Sequence, residues 1–286
     1  MTTRTITQLV RATPQLEGEG MLVTRPFPTA QLDQVDPFLL LDRLGPVAHA
    51  PGEAKGAPDH PHRGFETVTY VLEGAIEHED SQGNRGRIGA GDVQWMTAGS
   101  GVIHSEMPSE DIRRNGGYVH GFQLWVNLPR RDKMMNPRYQ ELRAAELPSA
   151  TSADGKVRVT VLAGESLGTT ASIDTRTPIL YLHVRLAPGA RFTQAVPESY
   201  NAFAFVFAGQ AAFGDREARE NDTVLFERDG DEVTIATETG AELLLIGGEP
   251  LGEPVARYGP FVMNTIGEIR QAMLDYESGH FGEIRR

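Results

Sequence analysis

Two short segments carry the residues best suited to chemistry. In Asp59-His60-Pro61-His62-Arg63-Gly64-Phe65-Glu66 two histidines stand two residues apart. An extended chain sends residues two apart to the same face, so His60 and His62 present two imidazoles to one point. His104 and Glu106 repeat the spacing just beyond the glycine-bearing turn Gly99-Ser100-Gly101. Two such pairs on neighbouring strands place three neutral nitrogens and a carboxylate around one cation. That donor set favours a borderline divalent metal: iron, nickel, copper, manganese or zinc. Four protein ligands on a six-coordinate ion leave two positions for water, dioxygen or a chelating substrate. A purely structural zinc site of the finger type is disfavoured, because the chain has no cysteine.

Other residues are weighed against this group. Glu66 joins the face of His60 and His62 if the strand stays regular, as a fifth ligand or as an acceptor for an imidazole N–H. His120 and Gln123, on the next strand candidate, are within reach of the site. His49, His78, His183 and His280 read as ordinary packed or solvated histidines, and Trp95 and Trp125 as core or pocket lining. Arg130-Arg131-Asp132-Lys133 reads as a solvated connector. No helix pattern follows Gly99-Ser100-Gly101, so it is not a phosphate loop.

The elements that must position these residues are strands. Glycine (31) and proline (18) are abundant and the apolar runs are short, which favours strands joined by tight turns. Phe38 to Asp42 reads as a buried strand and Gly45 to Pro61 as a long loop. Glu66 to Leu72 alternates and is β-branched. Further strand candidates are Ala75 to Glu79, Arg87-Ile88, Val93 to Met96 and Gly121 to Leu128. After a polar connector, Arg130 to Leu147, a second block offers Val157 to Leu162, Leu180 to Leu186, Ala202 to Phe207, Thr223 to Phe226, Val233 to Thr237 and Glu242 to Ile246. The blocks echo one another: Tyr70-Val-Leu-Glu-Gly74 returns as Phe205-Val-Phe-Ala-Gly209, and Gly91-Asp92-Val93 returns loosely as Asn221-Asp222-Thr223-Val224. This reads as a duplicated all-β barrel, residues 1–135 holding the metal and 136–286 forming a second barrel with a helical tail. In that tail Ile266, Ile269, Met273 and Tyr276 form an apolar stripe. Thr265 with Glu268 suggests a capping box, and Gly279 a stop.

A net charge of −12 disfavours nucleic acid and anionic lipid as partners. The absence of cysteine excludes a disulfide framework and a thiol nucleophile. The first residues lack the apolar core of a signal peptide and no run reaches membrane-spanning length, so the expectation is cytoplasmic.

The motif residues resemble the pirin family of the cupin superfamily. The resemblance rests on Asp59-His-Pro-His-Arg-Gly-Phe-Glu66, Gly91-Asp-Val-Gln-Trp-Met-Thr-Ala-Gly99 and His104-Ser-Glu106. It extends to Gln123-Leu-Trp-Val-Asn-Leu128, Tyr139-Gln-Glu-Leu142, Thr175-Arg-Thr-Pro178 and Gly259-Pro-Phe-Val-Met-Asn264. It departs from the general cupin pattern at Thr97, where many cupins have proline, and before His60, where only Gly52 and Gly56 flank the expected glycine. The resemblance implies a bicupin of two antiparallel β-barrels (jelly rolls), with His60, His62, His104 and Glu106 as ligands, usually of iron, and a metal-free second barrel. It implies two kinds of function on the same ligands. One is quercetin 2,3-dioxygenase activity, opening a flavonol ring with dioxygen and releasing carbon monoxide, with Glu106 as ligand and general base. The other is a non-enzymatic, metal- and redox-responsive role binding a transcriptional or metabolic-enzyme partner. Pirin relatives are commonly monomeric, and a monomer is expected here.

Overall fold

The computed structural model describes residues 1–286 and consists almost wholly of antiparallel strands, with two helices, Glu110–Asn115 and Ile266–Glu277. The chain forms two compact units that interleave in sequence. One comprises Pro14–Arg25, Phe38–Ala145 and Gly252–Arg286; the other comprises Met1–Thr13, Pro26–Pro37 and Glu146–Leu251. The sequence reading sets a single boundary after residue 135, whereas the helical tail here belongs with residues 38–145. Apolar burial accounts for that placement. Ile269 and Ala272 of the helix share one core cluster with Ala256, Phe261, Met263 and Phe281, and Ile103 packs against it.

The unit that carries both histidine pairs has a seven-stranded antiparallel sheet. Its order is Arg138–Leu142, Val93–Thr97, Phe65–Glu73, Gly117–Asn127, Phe38–His49, Met21–Phe27 and Thr13–Glu17. A four-stranded sheet, in the order Ala57–His62, Val102–Pro108, Ala75–Asp80 and Arg85–Gly89, meets it through side chains across the barrel interior. Two loop expectations are corrected. Gly45 to Pro61 is mostly strand, because the ladder with Gly117–Asn127 continues to His49 over an irregularity near Gly45, and such a shift accommodates Gly-Pro. Arg138–Leu142, inside the expected polar connector, pairs with Val93–Thr97 as the sheet edge.

The tail helix is capped as its sequence suggests. The Thr265 hydroxyl accepts from the Glu268 N–H, and the Glu268 carboxylate accepts from the Asn264 N–H. Its buried face is narrower than the expected stripe: Ile269 is buried, but Ile266 is 59% and Tyr276 40% exposed.

The internal echo corresponds to equivalent positions. The Gly91 N–H donates to the Val71 carbonyl, and the Asn221 N–H donates to the Val206 carbonyl. Asp92 then accepts from Gly89 N–H, three residues back, as Asp222 accepts from Arg219 N–H. Asn221 takes the left-handed φ of 69° that Gly91 meets without a side chain. Counting from these anchors, the cross-strand row Gln123–Thr69–Gln94 of one barrel corresponds to Leu245–Ala204–Val224 of the other. The second row lies in an apolar cluster with Leu182, Val184, Ile235 and Leu243. The same scaffold therefore has a polar interior in one copy and a close-packed apolar interior in the other.

Gly74 ends its strand at φ 84°, and a Cβ there would lie 2.2 Å from the Tyr118 carbonyl oxygen. Gly83 has φ 88° with open space around it. Gly83→Ala should therefore lose only about 1–2 kcal/mol, the cost of the left-handed conformation. Gly74→Ala should lose at least about 3 kcal/mol, from that cost plus the clash. Urea unfolding of both variants measures the difference.

Candidate metal centre

Strand pairing brings the three histidines together. His104 sits directly opposite His60 in the antiparallel ladder, and His62 follows on the same face as His60. Their ring nitrogens form one group in which the ligand atoms lie within 4.8 Å of one another. His60 Nε2 and His62 Nε2 are 3.0 Å apart. Two nitrogens bound at about 2.1 Å to one ion at nearly a right angle would have that separation.

The protonation of the group follows from its surroundings. His60 Nδ1 is 2.7 Å from the Pro58 carbonyl, which only accepts, so Nδ1 is the donor and Nε2 is the nitrogen turned toward His62. Burial, and then the charge of His60, hold His62 well below the usual imidazole range, with the Pro260 carbonyl acting the other way. Burial, then charge on His60, His62 and His78, does the same to His104. His104 is 1% exposed, and both its ring nitrogens are buried without a hydrogen-bond partner. Buried polar atoms are almost always paired. The unpartnered nitrogens of His104, converging with the ring nitrogens of His60 and His62, fit a divalent cation.

Glu106 lies outside this three-histidine group, although it shares the interior face. One of its oxygens accepts from the Thr69 hydroxyl (2.8 Å) and the other from the Gln123 amide (2.7 Å). Gln123 thus reaches the site through Glu106, and Thr69 is a residue that sequence reasoning missed. Its signal was available: Thr69 lies across from Gln123 and alternates with Val68 and Tyr70 on a β-branched strand. Glu66 points to the face opposite Thr69 and accepts from the Thr97 hydroxyl (2.6 Å). The expected strand regularity fails at Gly64, whose φ of 88° breaks the alternation between His62 and Glu66. His120 accepts from Arg43 Nε at 3.1 Å. Trp125 and Phe65 set their rings 5.2 and 5.0 Å from that of His62.

Lys133 is not the solvated connector residue its polar neighbours suggest. It is 1% exposed, and its ammonium donates to Gly64 O (2.7 Å), Asn127 Oδ1 (2.6 Å) and Val262 O (3.0 Å). Burial pulls its pKa down to about 8, against the charges of Glu253 and Glu268, so it stays mainly charged at neutral pH.

Residues 20–126 match the family model described as Pirin, and residues 181–282 that of the Pirin C-terminal cupin domain. The chain is 46% identical to a pirin-like protein of Solanum lycopersicum over 98% of this chain and 93% of the relative.

The chain belongs to the pirin family.

It is also 43% identical to pirin of Homo sapiens, over 97% of this chain and 93% of that one. Among solved structures, a quercetin 2,3-dioxygenase from Acinetobacter baumannii superposes with a TM-score of 0.94 at 35% identity, covering 99% of this chain and 100% of the other. Both units are therefore cupin barrels, and the pirin fold places the three imidazoles on the wall of the first.

Two measurements test the electrostatic account of this pirin site. The folded pKa of His62 and His104 lies below the unfolded value of about 6.5, so the unfolded chain takes up protons first. Metal-free protein should lose stability from pH 6.5 downward, by up to about 1.4 kcal/mol per pH unit for each group. His104→Gln should flatten that slope between pH 7 and 5.5 in chemical denaturation. Lys133→Met leaves three buried acceptors unpaired and should cost about 2–5 kcal/mol in the same assay.

Proposed function

We propose that this chain is a metal-dependent dioxygenase of the quercetin 2,3-dioxygenase type, using one divalent ion, iron(II) first among iron, nickel, copper, manganese and zinc. The observation that carries the proposal is the convergence of three imidazoles, those of His62 and His104 buried and held well below the usual imidazole range, with no other partner for His104. The likeness to a quercetin 2,3-dioxygenase over nearly the whole chain supports the substrate class.

His60, His62 and His104 would hold the ion, with Glu106 as the fourth ligand. Each Glu106 oxygen accepts one hydrogen bond, and a carboxylate has about four lone-pair sites, so capacity for an ion remains. When bound, the ion supplies a Lewis-acid and redox centre for a flavonol-like ring and dioxygen. Glu106 takes the proton of the flavonol 3-hydroxyl, and Thr69 and Gln123 fix the direction in which it does so. Trp125 and Phe65, beside His62, provide an apolar wall against which a planar aromatic ring can lie.

The test is to load the protein with ferrous iron anaerobically, add quercetin and oxygen, and follow the flavonol band together with carbon monoxide. Wild type should consume flavonol and release carbon monoxide, and His62→Ala should fall to background. Glu106→Gln should retain an ion but lose about 10²–10⁴-fold in kcat, the usual contribution of a general base. Equal rates for wild type and His62→Ala would overturn the proposal. Iron-loaded wild type that leaves quercetin intact would overturn it too, and would point to the metal-tuned partner binding that pirin resemblance also implies.

A further inference from the structure

Arg63, the residue after His62, ties three segments together. Its backbone N–H donates to the Pro260 carbonyl (3.4 Å), and its carbonyl accepts from the Val262 N–H (3.0 Å). Its guanidinium donates from Nε to the Ser100 carbonyl (2.6 Å), in the turn that leads to His104. From Nη1 it donates to Asp275 Oδ2 (2.7 Å), on the tail helix. The same group lies 4.6 Å over the Phe281 ring. That ring closes on the turn as well, since a Cβ on Gly101 would lie 2.7–2.8 Å from it. The Gly64 N–H joins the two loops directly by donating to the Gly99 carbonyl (2.8 Å).

An exposed ion pair would contribute little to such an arrangement. Here the cation is enclosed, with Arg63 4% exposed, while the Asp275 side chain is 20% exposed. The pair's bonds are charge-assisted and its geometry is fixed from both sides. One end lies one residue from His62, and the Ser100 contact lies four residues before His104.

We infer that the Arg63–Asp275 pair is a positioning device for the metal centre, coupling the docked tail helix to the segments that carry His62 and His104. The inference rests on the metal reading above. Coupling of this kind is reciprocal: if helix docking tightens metal binding, metal binding tightens helix docking by the same factor.

The test compares wild type, Asp275→Asn and Ile88→Ala, the last a cavity in the same unit remote from the pair. Cobalt(II) is titrated into each metal-free protein by its visible bands, and hydrogen exchange is followed by peptide with and without cobalt. Asp275→Asn should weaken cobalt binding about tenfold or more and alter the band pattern. It should also speed exchange across residues 60–66 and 98–104 and abolish cobalt-induced protection of residues 266–277. Ile88→Ala should lower global stability while leaving cobalt affinity and bands near wild type. Equal cobalt affinity and unchanged exchange in Asp275→Asn would overturn the inference, as would equal weakening in both variants. If wild type binds no cobalt, the metal reading falls, and exchange at 60–66 and 98–104 alone judges the pair: unchanged rates there overturn it.

Discussion

Three imidazoles with ring nitrogens within 4.8 Å of one another, two of them buried, cannot all be protonated. Charge on any one opposes charge on the others, and burial opposes charge on His62 and His104. The folded chain therefore holds lone pairs that converge on one point, with His104 lacking any hydrogen-bond partner. Burying such atoms without a partner is unfavourable. A divalent cation relieves both terms at once, and the rest of the unit acts to hold that geometry. The His104–His60 register sets the group, the Pro58 carbonyl sets one tautomer, and Lys133 and Arg63 anchor the chain just past His62.

The two barrels separate fold from function. They share turn geometry at Gly91-Asp92 and Asn221-Asp222, and a glycine at left-handed φ at Gly74 and Gly209. What differs is one interior row. Gln123 and Thr69 hold Glu106 in the first barrel, while Leu245, Ala204 and Val224 pack against apolar neighbours in the second. Polar side chains are stable in the first interior because each finds a partner, inside or at the sheet edge: the buried Gln94 and His78 both reach the carboxylate of Glu141, on the edge strand, at 2.7 Å. A scaffold of this kind accommodates either filling, so function has to be read from the row and not from the barrel.

The convergence of the three histidines was legible in sequence because a strand has period two and the chain places His60 and His62 at that spacing, while Glu106, two residues from His104, lies outside their group. The duplication was legible because turns demand particular residues, glycine or asparagine at left-handed φ. Glu66 misled for a local reason: Gly64 breaks the strand, and parity is lost across the break. Lys133 left no trace, since a buried ammonium among three distant acceptors looks like any lysine in a polar run. The tail helix was visible from its cap and stripe, but its unit was not. Its docking depends on Phe261, Met263 and Phe281, which meet only after folding. Arg63 was hidden similarly, because its partner Asp275 lies 212 residues away.

The central claim is that the three imidazoles are ligands of one divalent ion. X-ray absorption at the metal K-edge of protein loaded with one equivalent of iron or nickel addresses it most directly, because imidazole rings give characteristic outer-shell scattering. The account predicts a nitrogen- and oxygen-only first shell with about three imidazoles in wild type, one fewer in His104→Ala. A shell with no imidazole scattering, or one unchanged by His104→Ala, would contradict it.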